Sequence, residues 1–166
     1  DKANAITNSA SFSLCVADAP LFESVAKEYS AILKNELCAR EKNLEFDIKL
    51  GEHKEYDAFS EKITKSIIYT LLCAPQGVVD MSAEIEGLVE TSLNLDVLKT
   101  DEKKVSVHFA LRSNKKSALK ALEDKLTTFF SLFDCTAEVF GHYPPWEFNP
   151  NSTLQGLYKE VFLEEF

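Results

Sequence analysis

The chain has 166 residues, of which 45% are hydrophobic, 27% charged and 11% aromatic, with a formal net charge of −9. That length suits one domain of ordinary size with room for a small second lobe, and the aromatic content excludes a disordered tail. Lysine and arginine are scattered, which excludes a nucleic-acid backbone as partner, and no apolar run reaches the roughly 20 residues of a membrane span.

Residues Ala10–Ala17 alternate through Phe12, Leu14 and Val16, which predicts a strand. Asp18 and Pro20 then open a helix with the stripe Leu21, Val25, Tyr29, Ile32 and Leu33. Leu44, Phe46, Ile48 and Leu50 alternate with Glu45, Asp47 and Lys49 as a second, half-buried strand. Gly51 to Asp57 reads as a polar loop. A second helix follows through Phe59, Ile63, Ile67 and Leu71, stopped near Pro75 and Gly77.

Val89–Lys99 and Val105–Arg112 predict a hairpin turning across residues 100–103. Ser113 or Asn114 caps a third helix carrying Leu119, Leu122, Leu126, Phe129, Phe130 and Phe133, with the phenylalanines expected in the core. Thr136–Gly141 reads as a short strand, and the prolines of 143–150 break the chain. Ser152 and Gln155 match a capping box that opens a last helix. The expected class is α+β: a two-layer sandwich with helices on one face of a mixed or antiparallel sheet, ferredoxin-like in part.

Cys15, Cys38, Cys73 and Cys135 lie more than 20 residues apart among apolar neighbours, which predicts buried free thiols in a reducing cytoplasm. The chain opens Asp1-Lys2-Ala3-Asn4, without Met or an apolar leader, as an excised piece of a longer protein would.

The sequence offers little local chemistry. His53, His108 and His142 have no second ligand at metal-binding spacing, so no metal site is expected from this chain alone. Glu164 and Glu165 are adjacent on a helix, about 100° apart, and read as solvated. No serine or cysteine nucleophile motif and no glycine-rich phosphate loop occurs. Arg112 stands out: it ends a strand, and only Arg40 shares its type among 18 basic residues. Its planar fork can grip a carboxylate through two bonds, as lysine cannot, although a surface ion pair is the ordinary alternative. Asn4 and Asn94 are polar residues where packing alone would prefer others.

Residues Met81–Leu95, MSAEIEGLVETSLNL, resemble a segment of bacterial aminoacyl-histidine (Xaa-His) dipeptidases, relatives of the carnosinases and aminoacylases. Asn4-Ala5-Ile6, Leu111-Arg112-Ser113, Tyr143-Pro144-Pro145-Trp146 and Asn149-Pro150 resemble further landmarks in the same order. The resemblance implies a lid (substrate-binding and dimerisation) domain over residues 1–142. Residues 143–166 are then a linker and helix returning toward a catalytic domain outside this chain. It further implies a cytoplasmic metallo-dipeptidase whose two divalent ions, zinc by expectation, and catalytic residues lie elsewhere in the polypeptide. This piece alone would be inactive.

By position, Arg112 matches the lid arginine that holds the terminal carboxylate of a dipeptide substrate, and Asn4 the asparagine bonded near the scissile group. The implied partners are the dipeptide, the catalytic domain of the same polypeptide and a second copy, with no nucleic acid or membrane. Thr7, Asp96, Asn114 and Pro145 depart from the family pattern, which has proline, glycine, serine and glycine there. A different reading is a stand-alone α+β module that dimerises through a sheet edge or senses a small molecule without catalysis.

Overall fold

A computed structural model describes residues 7–51, 55, 57–133 and 135–165. The chain divides into two compact units, Ser9–Ser60 and a larger one that takes in Glu61–Phe166.

The first unit is built around α1, Ala19–Leu37. Its start is encoded locally: Asp18 accepts a hydrogen bond from the Leu21 N–H at 2.9 Å, and Pro20 occupies the first turn. The strands expected at 10–17 and 44–50 do not form; both segments are irregular. Alternation encodes a face to bury, but a strand also needs a neighbour for its backbone groups. No ladder reaches either segment among the described residues. Their apolar residues Phe12, Leu14, Phe46 and Leu50 stay exposed, as does the stripe of α1.

The second unit holds a three-stranded antiparallel sheet in the order β1-β2-β3. Helix α2, Glu61–Cys73, ends before Pro75, and β1, Gly77–Met81, follows at once. Gly77 has φ +93, a left-handed turn that only glycine makes without strain, and this redirects the chain from helix into strand. The sequence reading placed only a helix stop here and missed β1. The hairpin appears as expected, β2 at Val89–Thr100 and β3 at Val105–Ser113. Its turn is held by Asp101, whose carboxylate accepts from the Lys103 and Lys104 N–H groups at 2.8 and 2.9 Å.

The register pairs Leu93 with Leu111 and Leu95 with Phe109 on one face, and Ser92 with Arg112 on the other. Helix α3, Lys116–Ser131, covers the first face. Leu93, Leu122 and Leu126 form the core there, with Phe109, Leu111 and Phe130 packed against them. Phe129 and Phe133 are half-buried and meet edge to face rather than entering that core. The cap of α3 also departs from expectation. Lys115 holds the N-cap position without a side-chain bond, while the Ser113 hydroxyl accepts from the Lys115 N–H at 3.1 Å.

The segment 136–141 is irregular and joins no ladder, so the strand expected after the third helix is absent. Phe140 nevertheless lies over the His108 ring, centroids 5.3 Å apart. Helix α4, Thr153–Glu165, begins where the capping box is written, the Ser152 hydroxyl accepting from the Gln155 N–H at 3.4 Å. Glu164 and Glu165 on it are exposed. All four cysteines are free but exposed, which corrects the expectation of burial. Their apolar neighbours supply sequence context without supplying cover. The α+β class and the antiparallel sheet with a helix on one face agree with the sequence reading.

Candidate functional site

Arg112 is the next-to-last residue of β3. Because Leu111 and Ser113 share the face turned to α3, Arg112 projects from the opposite face, beside its cross-strand partner Ser92. The side chain is exposed. Among the described residues no ion pair or hydrogen bond engages its guanidinium, so the surface ion pair allowed by the sequence is not formed.

The guanidinium lines an open groove of about 440 Å³. Val89, Glu90 and Ser92 of β2 form one side, Ser113 and Asn114 its end, and Tyr143-Pro144-Pro145-Trp146 the other side. The groove therefore joins the β2–β3 hairpin to a loop some thirty residues downstream.

Glu90 sets the charge balance. Its side chain is only 7% exposed and binds the Lys115 ammonium at 2.8 Å. The hydrogen bond to Glu90 raises Lys115 above the usual lysine value, against a smaller opposing effect of desolvation. With Glu90 neutralised in this way, Arg112 is left as the net positive charge of the groove, in a chain whose total is −9. Such a spot suits a small carboxylate, gripped by two parallel N–H···O bonds.

A second polar group lies further along the same sheet face, at a bulge between Leu95 and Val97. The Asn94 amide donates to Asp96 at 2.6 Å, and the His108 imidazole stands 3.4 Å from the other oxygen of Asp96. The Asp96 side chain is fully buried. This accounts for Asn94, which the sequence left without a role.

Asn4, the other expected substrate residue, lies outside the described residues, as does His53. Sequence reasoning missed Glu90, Lys115, Tyr143 and Trp146. The first two read as ordinary strand and loop polar residues. The aromatics read as chain breaks and as a landmark of the resemblance, with no part in a site, although two prolines flanked by aromatic residues three apart is a detectable signal. Among the described residues no three His, Cys, Asp or Glu side chains converge as metal ligands do, and none of the helices is long and apolar enough to cross a membrane.

No protein-family model matches the chain. It is 31% identical over 165 residues to the cytosol non-specific dipeptidase of Escherichia coli (strain K12), covering 98% of this chain and 34% of that protein. The crystal structure of aminoacylhistidine dipeptidase from Vibrio alginolyticus superposes with a TM-score of 0.76 at 30% identity. That match covers 87% of this chain and 29% of the other. The chain thus spans about a third of the length of the proteins it matches. Over that third it is similar in sequence and fold to these two dipeptidases.

Proposed function

We propose that this chain is the lid segment of a cytosolic metal-dependent dipeptidase, and that Arg112 binds the C-terminal carboxylate of the dipeptide. The observation that carries the reading is the exposed guanidinium of Arg112, unengaged among the described residues in a groove where the Glu90 carboxylate is already tied to Lys115. Residues 1–142 would form the lid and 143–166 the return toward the catalytic domain, with Tyr143 to Trp146 lending their side chains to the groove. Asn4 would hydrogen-bond the substrate near the scissile group, and a second copy would pair with the lid.

The two divalent ions of such an enzyme, zinc by resemblance, would polarise the peptide carbonyl and activate water. The described residues here do not fit a metal, so no step runs through an ion held by this chain. Its own share is to orient the dipeptide and keep water from the reacting end. A two-bond charged contact contributes roughly 1.5–3 kcal/mol when shielded, or about ten- to hundredfold in kcat/KM.

The test is Arg112→Ala in the full-length protein. Hydrolysis of dipeptides should fall at least about tenfold in kcat/KM while metal content stays that of the wild type. Kinetics equal to the wild type would remove Arg112 from the site.

A further inference from the structure

The groove is asymmetric: one side carries charge, the other two large, exposed aromatic rings. Trp146 is 90% exposed and Tyr143 70%. Their backbone is stiff. Pro144 and Pro145 fix their own φ near −65° and confine Tyr143 and Pro144 to extended or polyproline geometry. That helix has three residues per turn, so residues three apart share a side, separated by about 9 Å along the axis. Tyr143 and Trp146 are three apart, and both line the Arg112 groove. The strip is also tied down at its far end, where the Glu147 carboxylate accepts from the Lys116 N–H at the start of α3, 3.4 Å away. Pro145 stands where the resembled family has glycine, and replaces a joint with a brace.

We propose that Tyr143 and Trp146 form a two-ring wall that takes the side chain of the residue whose carboxylate Arg112 binds. The site thereby selects dipeptides with an aromatic or bulky apolar C-terminal residue. This rests on the reading of Arg112 given above. In an amino acid the carboxylate and the side chain leave the same Cα, so a residue anchored on Arg112 must place its side chain within a few ångströms of the groove wall. The remaining lining on that side, Pro144 and Pro145, is apolar, and Glu90 across the groove is already engaged by Lys115. Rings offered edge or face to a planar side chain are the favoured contact.

The experiment compares alanyl-phenylalanine with alanyl-glycine as substrates of the full-length protein. In Trp146→Ala and in Tyr143→Ala, the ratio of kcat/KM for the first over the second should fall about threefold or more, with Trp146→Phe restoring most of it. Arg112→Ala should lower both substrates together and leave the ratio near that of the wild type. A ratio that moves less than threefold in both aromatic variants overturns the wall, whether or not their thermal stability changes. If Arg112→Ala leaves both rates unaltered, or the wild type cleaves neither dipeptide, the carboxylate reading itself fails and takes this inference with it.

Discussion

The Glu90 carboxylate, almost wholly buried, and the Lys115 ammonium meet at 2.8 Å beside the guanidinium of Arg112, and this pair decides how attractive the groove is to an anion. Removing the ammonium by Lys115→Met leaves a negative charge near the binding point, and KM for dipeptides should rise several-fold with kcat retained. Removing the carboxylate by Glu90→Gln should lower KM instead. Steady-state kinetics of the two variants check the opposed signs, and a shift in the same direction for both would refute the electrostatic account. Because Lys115 is raised from 10.5, the pair's stabilisation is complete below that value and is lost as pH rises through the higher, folded one.

Arg112 should show its mode of action through the substrate as well as through mutation. A guanidinium that grips a carboxylate loses its purpose when the dipeptide ends in an amide. The penalty of Arg112→Ala, about tenfold or more on free dipeptides, should shrink to within about twofold on C-terminally amidated ones. Arg112→Lys should recover only part of the loss, since an ammonium cannot copy the fork. An undiminished penalty on the amides would show that the residue serves the fold and not the ligand.

The small core on the covered face of the sheet predicts where the second unit is vulnerable. Leu93 is 2% exposed and meets Leu122 and Leu126 of α3. Leu93→Ala should destabilise the unit by roughly 2–5 kcal/mol, seen as a lower urea midpoint. The same change at Leu98, which is exposed near the hairpin tip, should cost well under 1 kcal/mol. Equal effects at both positions would mean that α3 does not clamp this sheet.

Asp96 should behave as a polar linchpin, because its buried carboxylate accepts from the Asn94 amide, while its other oxygen faces His108 Nδ1 at 3.4 Å without a hydrogen bond among the described residues. Asp96→Ala strands the Asn94 amide, and a stability loss of about 1–3 kcal/mol is expected by chemical denaturation. A loss no larger than that of an exposed strand residue would show that the Asn94 amide is satisfied without it.

What could be read from the sequence follows from how local each encoding is. Asp18, the hairpin and Ser152 were legible because donor, acceptor and partner strand lie within a few residues of one another. The alternation at 10–17 and 44–50 was equally clear, yet it describes only a face and says nothing of a pairing partner. Strand β1 was hidden for the opposite reason: all five of its residues are exposed, so no alternation marks it, and Pro75 and Gly77 beside it signal interruption. Arg112 was legible from its chemistry and rarity. Its surroundings were not, since Glu90 and Trp146 come to line its groove only through the register of β2 on β3 and the path of the loop after α3.

The hairpin turn supplies a prediction about acid. Asp101 is lowered from 3.8 because its carboxylate accepts the N–H groups of Lys103 and Lys104, and burial opposes this only weakly. A lowered folded value means that the stabilisation is present above 3.8 and disappears as pH falls through the lower, folded value. Asp101→Ala should therefore reduce the melting temperature near neutrality, and the gap to wild type should close in strong acid. Melting curves taken from neutral pH down to about pH 2 read this directly. A gap that stays constant over the whole range would mean that Asp101 acts through backbone preference in the turn, with its charge playing no part.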